Sequence, residues 1–118
     1  MKSSLLSRRQ VLSLLPLAAA PTLALADSKP VEWVVGYAPG GGSDTVARML
    51  AEAMGKSMGQ SFIVTNKPGA GSNIAADYVA KARDPEHTVF TADSAVTAAN
   101  PFLYSKLAYN AEKDFAPV

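Results

Sequence analysis

The 118-residue sequence contains no cysteine, one histidine and one tryptophan. Without a thiol there is no disulfide framework, no thiolate metal site, no cysteine nucleophile and no N-terminal cysteine to lipidate. The single histidine, His87, lies in Asp84-Pro85-Glu86-His87-Thr88 with no second metal ligand close in sequence, and reads as a surface side chain rather than a ligand. An excess of one charge is also missing: 11 basic residues face 10 acidic ones, and the basic ones are dispersed. A nucleic-acid partner calls for clustered Lys and Arg, so none is expected. Nor can a nucleophile, a base and an orienting acid be assembled from the motifs, so no catalytic residues are assigned.

A long hydrophobic run is absent too. The most apolar stretch covers residues 11–26 and is interrupted by Pro16 and Pro21. A membrane span needs about 20 apolar residues. The stretch instead follows a short basic segment with Lys2, Arg8 and Arg9 and closes with Ala24-Leu25-Ala26 before Asp27. These are the three regions of a secretory signal. Ser7-Arg8-Arg9-Gln10-Val11-Leu12 is similar to a twin-arginine export signal, with a general secretory leader as the alternative. Residues 1–26 are therefore expected to be removed on export. The remaining 92 residues carry eight basic and ten acidic side chains, so the exported part is mildly acidic.

Beyond that point the pattern alternates. Residues 31–35 and 61–65 are β-branched and aromatic and predict strands, as do residues 88–91. After the first strand comes Gly36-Tyr37-Ala38-Pro39-Gly40-Gly41-Gly42-Ser43-Asp44. Val46, Met49, Leu50, Ala53 and Met54 then recur at helical spacing, with Ser43 or Asp44 as cap and Gly55 or Gly59 as stop. After the second strand comes Asn66-Lys67-Pro68-Gly69-Ala70-Gly71-Ser72-Asn73, and then a helix whose apolar face holds Ile74, Ala75, Tyr78, Val79 and Ala82. Residues 93–100 suggest another short helix that Pro101 ends or turns. Strand, helix, strand, helix, strand is a βαβαβ unit of an α/β fold with a parallel sheet.

In such sheets ligands sit at the carboxyl ends of the strands. Both glycine-rich loops project to that edge, each ahead of a helix whose first N–H groups favour an anion. Residues 93–97, after the third strand, add hydroxyls there. A carboxylate suits this edge, and on physical grounds so does a phosphate. The phosphate motifs are absent: Gly40-Gly41-Gly42 lacks the dinucleotide spacing because position 45 is Thr45, and Gly55-Lys56-Ser57 lacks the P-loop glycine because position 50 is Leu50. Asp44 reads first as a helix cap, Arg48 as its i+4 partner, Trp33 as core, and Tyr37 as either core or cleft wall.

Taken in order, these segments resemble the receptor proteins of tripartite tricarboxylate transporters, the Bug family. The resemblance rests on Tyr37-Ala38-Pro39-Gly40-Gly41-Gly42-Ser43-Asp44, Val46-Ala47-Arg48, Asn66-Lys67-Pro68-Gly69-Ala70-Gly71-Ser72-Asn73-Ile74, Asn100-Pro101-Phe102-Leu103-Tyr104 and Lys113-Asp114-Phe115-Ala116-Pro117-Val118. It implies a periplasmic-binding-protein type II-like fold, of which residues 27–118 form the βαβαβ part of the first lobe. It implies a non-enzymatic, cofactor-free periplasmic receptor that captures small organic carboxylates for the membrane permease subunits of a transporter, or for a sensor. The ligand-binding positions it implies are Ala38, Pro39, Gly40, Gly41, Gly42 and Asp44 in the first loop, and Tyr37 joins them as the candidate cleft wall. In the second they are Gly69, Ala70, Gly71 and Asn73, and in the third Ser94 and Thr97. A receptor of this kind has about three times this length, two domains of ordinary size, so the chain is expected to be a fragment that does not bind a carboxylate tightly alone. The competing readings are an exported cofactor-dependent oxidoreductase, whose dinucleotide or metal motif is missing, and a truncated non-functional remnant.

Overall fold

The computed structural model describes residues 29–118; the expected export signal lies outside them. Three parallel strands, β1 (Val31–Val35), β2 (Phe62–Asn66) and β3 (Thr88–Thr91), form one sheet in the order β2-β1-β3. Val35 pairs with Asn66 on one side and with Thr91 on the other, so the three strands end level. Helix α1 (Gly42–Met58) connects β1 to β2, and helix α2 (Asn73–Ala80) connects β2 to β3. The two crossovers step in opposite directions across the sheet. With the usual right-handed connection they lie on opposite faces.

Strand alternation supplies a core to each face. Trp33 and Val35 pack against Ala47 and Ala51 of α1, with Met54, Phe62, Val64 and Val89 around them. The Trp33 indole N–H donates to Thr91 Oγ1 at 2.8 Å, which satisfies the one polar atom of that core side chain. On the other face, Ala76 of α2 meets Val96 and Tyr109, with Phe90 and Phe115 beside them. The residues nearest the sheet are small (Ala47, Ala51, Ala75, Ala76), which lets both helices sit close to it.

Helix α1 lies where the sequence predicts, but its buried face is turned by one position. Asp44, Ala47 and Ala51 face inward, while Val46, Met49 and Leu50 are 56%, 66% and 47% exposed. The cause is at the helix start, where Asp44 is hydrogen-bonded into the sheet edge and fixes the rotation. The helix runs through Gly55 and ends at Gly59. A side chain at Gly55 would meet the Gln60 carbonyl at 3.0 Å, so the glycine reflects packing rather than a stop. On α2, Ala75 is buried as expected, but Ile74 and Tyr78 are exposed and Ala76 takes their place inside. After β3 a wide π turn, Ala95–Ala99, runs directly into helix α3 (Asn100–Leu103). Pro101 therefore does not end the helix. It sits in the first turn of α3, where a missing N–H is tolerated. His87 is less of a surface residue than expected: its side chain is only 16% exposed and its Nδ1 lies 3.2 Å from Asp84. No helix among the described residues is long and apolar enough to cross a membrane.

Candidate functional site

The level strand ends bring three loops to one edge, and a close approach joins the first two. A side chain at Gly36, just past β1, would place its Cβ 1.5 Å from Ser72 Oγ. Only glycine leaves room there for the second loop. That loop is itself unusual: Gly69, Ala70, Gly71 and Ser72 all have positive φ, at 133°, 48°, 61° and 70°. Positive φ is ordinary for glycine but costs about 1–2 kcal/mol for a residue with a Cβ. Ala70 and Ser72 thus hold strained backbone of the kind that collects at ligand clamps. The strain is held by Asn100, whose amide donates to the Gly71 carbonyl at 2.8 Å and to Asn73 Oδ1 at 2.6 Å. The Tyr109 hydroxyl approaches the same Asn73 oxygen at 2.8 Å.

The first loop is organised by Asp44. Its carboxylate is 3% exposed and accepts from Gly40 N–H at 2.9 Å, from Arg48 Nε at 3.0 and 3.1 Å, and from Asn66 Nδ2 at 2.9 Å. Asn66 also donates to the Tyr37 carbonyl at 3.0 Å, and Arg48 donates to Asn66 Oδ1 at 3.1 Å. The Arg48 guanidinium, then the Gly40 and Asn66 donors, hold the Asp44 carboxyl well below the usual carboxylate range. Asp44 is therefore an ionised internal fixture, and the guanidinium nearest the loop is occupied. The helix cap itself is Gly41, which offers no side chain to the first-turn N–H groups of α1.

The third loop starts at Asp93. One carboxylate oxygen accepts Val96 N–H at 3.0 Å and the other accepts the Tyr37 hydroxyl. That bond, with burial and the nearby charge, raises the Tyr37 pKa. Thr97 Oγ1 donates back to the Asp93 carbonyl at 2.9 Å.

Among the expected site residues, the structure brings Tyr37, Ala38, Pro39, Gly40, Gly41 and Gly42 together as an exposed rim. Gly69, Ala70, Gly71, Ser94 and Thr97 are also exposed at that edge. Two are turned away from it: Asp44 is buried in its hub, and the Asn73 oxygen is engaged by Asn100 and Tyr109. The sequence reading did not assign Ser72 or Asp93 to the site. Ser72 is 1% exposed and its hydroxyl has no partner among the described residues. Asp93 had a legible signal, since Asp before a helix is a preferred cap. Elsewhere, a groove of about 800 Å³ lies beside α2 toward the amino end of the sheet. Several of its polar groups have partners: the Tyr78 hydroxyl donates to Glu32 at 2.9 Å, Lys67 lies over the Tyr78 ring at 3.8 Å, and Lys81 pairs with Asp77.

Known proteins share this sequence and fold. Residues 46–118 match the family model described as tripartite tricarboxylate transporter family receptor. A UPF0065 protein of Agrobacterium vitis is 39% identical over 121 residues, covering 99% of this chain and 35% of that protein. The solved structure of MatC from Rhodopseudomonas palustris with bound malate is 42% identical, with a TM-score of 0.70, over 75% of this chain and 30% of that one. The periplasmic binding protein BugD is 38% identical with a TM-score of 0.69, over 75% and 29%. The chain thus spans about a third of the length of the relatives it matches. On the sequence match and the shared parallel fold together, the chain belongs to the tripartite tricarboxylate transporter receptor family.

Proposed function

We propose that the whole protein is a non-enzymatic solute-binding receptor that captures a small organic carboxylate at this sheet edge. It delivers the ligand to the membrane permease subunits of a tripartite tricarboxylate transporter, or to a sensor. In this reading residues 1–26 are a twin-arginine export signal, the protein works in the periplasm, and residues 27–118 are part of the first of two lobes. The contacts come from residues 37–42, from Gly69, Ala70 and Gly71, and from Ser94, with Thr97 at the rim.

One observation carries the reading. The rim is exposed main chain, with little Cβ bulk and an uncapped helix start, while Arg48, the guanidinium beside it, is held by Asp44 and Asn66. An anion there meets backbone N–H groups rather than a free cation. Such a site holds a carboxylate without a countercharge, and the sequence motifs that mark a phosphate site are absent. The malate-bound structure supports the same ligand class.

The test is calorimetric titration of the receptor at the full length of its relatives with malate, adipate, glutamate and inorganic phosphate. Saturable binding of a carboxylate, with phosphate silent, is the expected result. A folded receptor that takes none of the carboxylates, or takes phosphate as tightly, overturns the reading.

A further inference from the structure

Two carboxylates stand at the ligand edge, and they are treated differently. Asp44 is buried and its charge is compensated by Arg48. Asp93 is only half-buried and meets neutral donors alone, the Tyr37 hydroxyl on one oxygen and the Val96 N–H on the other. The ion pairs of the described residues run between other groups: Lys29 with Asp84, which also meets His87 Nδ1, Arg48 with Asp44, Lys56 with Glu52 and Lys81 with Asp77.

The position of Asp93 follows from the sheet register. Val35 and Thr91 are paired, and Tyr37 and Asp93 each stand two residues further on, so the two side chains meet at the rim. Ser94 and Thr97 are exposed next to it. A site made only for carboxylates gains nothing from an uncompensated negative charge on its wall. A second ligand carboxylate placed there is repelled, whereas a ligand amino group forms a charge-assisted hydrogen bond. Like-charge opposition of this kind is a common way to exclude a near analogue.

We propose that Asp93 is a specificity-determining residue that favours carboxylates carrying a cationic amino group over the unsubstituted dicarboxylates of the same length. Tyr37 and the Val96 N–H hold its two oxygens in place, and each oxygen has further capacity to accept from a ligand. This inference rests on the receptor reading above and narrows its ligand class.

The experiment compares glutamate with glutarate, which share a carbon skeleton and differ by the amino group, on the full-length receptor and two variants. Asp93→Asn keeps an oxygen for the Val96 N–H, removes the charge, and presents an amide N–H that donates to the Tyr37 oxygen instead of accepting from its hydroxyl. Asp93→Ser keeps a helix cap of a different shape, so one variant remains informative if the other folds poorly. The wild-type protein is expected to favour glutamate by roughly ten-fold or more. Both variants are expected to lose that preference by binding glutarate better and glutamate less well. Malate and adipate, titrated into Asp93→Asn, where the repelling charge is gone, serve as controls for the receptor reading. A receptor that binds the controls but shows no glutamate preference, or keeps the preference in Asp93→Asn, overturns this inference alone. A receptor that binds none of the four overturns the receptor reading and this inference with it.

Discussion

Gly36 and Ser72 form the tightest approach in the site, and each explains the other. The backbone at Gly36 does not have positive φ, so an alanine is compatible with it conformationally. What excludes a side chain is Ser72 Oγ, 1.5 Å from where the Cβ would be. Ser72 in turn has a φ of 70° and a buried hydroxyl without a partner among the described residues. Both features are unfavourable by themselves. Gly36→Ala is therefore expected to cost about 1–3 kcal/mol, as overpacking does. Ser72→Gly is expected to be nearly neutral, because relief of the left-handed strain offsets glycine's greater chain entropy. In the Ser72→Gly background the cost of Gly36→Ala should fall by about 1 kcal/mol or more, the coupling expected of residues in direct contact. Urea unfolding of the four proteins measures this. An equal cost in both backgrounds would mean that the clash is relieved by loop movement and that the two residues are not coupled.

At the scale of elements, existence and order were legible in the sequence, but orientation was not. The period of Val46, Met49, Leu50, Ala53 and Met54 announces a helix, since apolar residues recur with its pitch. It points to the wrong face because hydrophobicity does not record a buried acid. Asp44, at the third position of α1, reaches back to Gly40 and across to Asn66, and that hub turns Ala47 and Ala51 to the sheet. The partner Asn66 is 22 residues away at the end of β2, a distance no local pattern can bridge. Pro101 takes the second of its two expected roles and opens a new turn: a wide turn ahead of it resets the helix, and a π turn has no sequence period of its own. The glycine loops were legible because their chemistry is local. If Asp44 fixes α1, it also links stability to acid pH. Its folded-state pKa is lowered mainly by Arg48, below an unfolded value of about 3.9, so folding favours the ionised form. The contribution is fully present above about pH 4 and is lost as pH falls toward the lower folded value. Asp84 and Glu52 are shifted the same way by Lys29 and Lys56 and add to the slope. The wild-type protein should lose stability below about pH 4. Asp44→Asn should be less stable near neutrality and show a shallower loss in acid. Denaturant midpoints followed across this range would contradict the hub if both proteins gave the same slope.

At the scale of the whole molecule, the described residues make one wall of a site. The three loops all rise from a single sheet edge. The same residues leave apolar side chains uncovered: the Val46, Met49 and Leu50 face of α1, and Phe102 and Leu103 at the end of α3. The relatives are about three times as long as the part this chain matches. In the two-lobed receptor proposed here, the other lobe closes over the loops and supplies the ligand's remaining contacts. Small-ligand sites bury most of their ligand's surface, so a one-sided site forfeits a large share of the binding free energy. Residues 27–118 alone are therefore expected to bind a carboxylate at least about a hundred-fold more weakly than the full-length receptor, a difference of about 2.7 kcal/mol. Titrating both proteins with one ligand, after circular dichroism has established that the shorter one is folded, measures the ratio. A ratio near one would locate the whole affinity in the backbone N–H groups of these three loops and leave the second lobe a role in gating or docking. A large ratio would make the loops an anchor for one carboxylate end, with Asp93 and the opposite lobe together determining which carboxylate is kept.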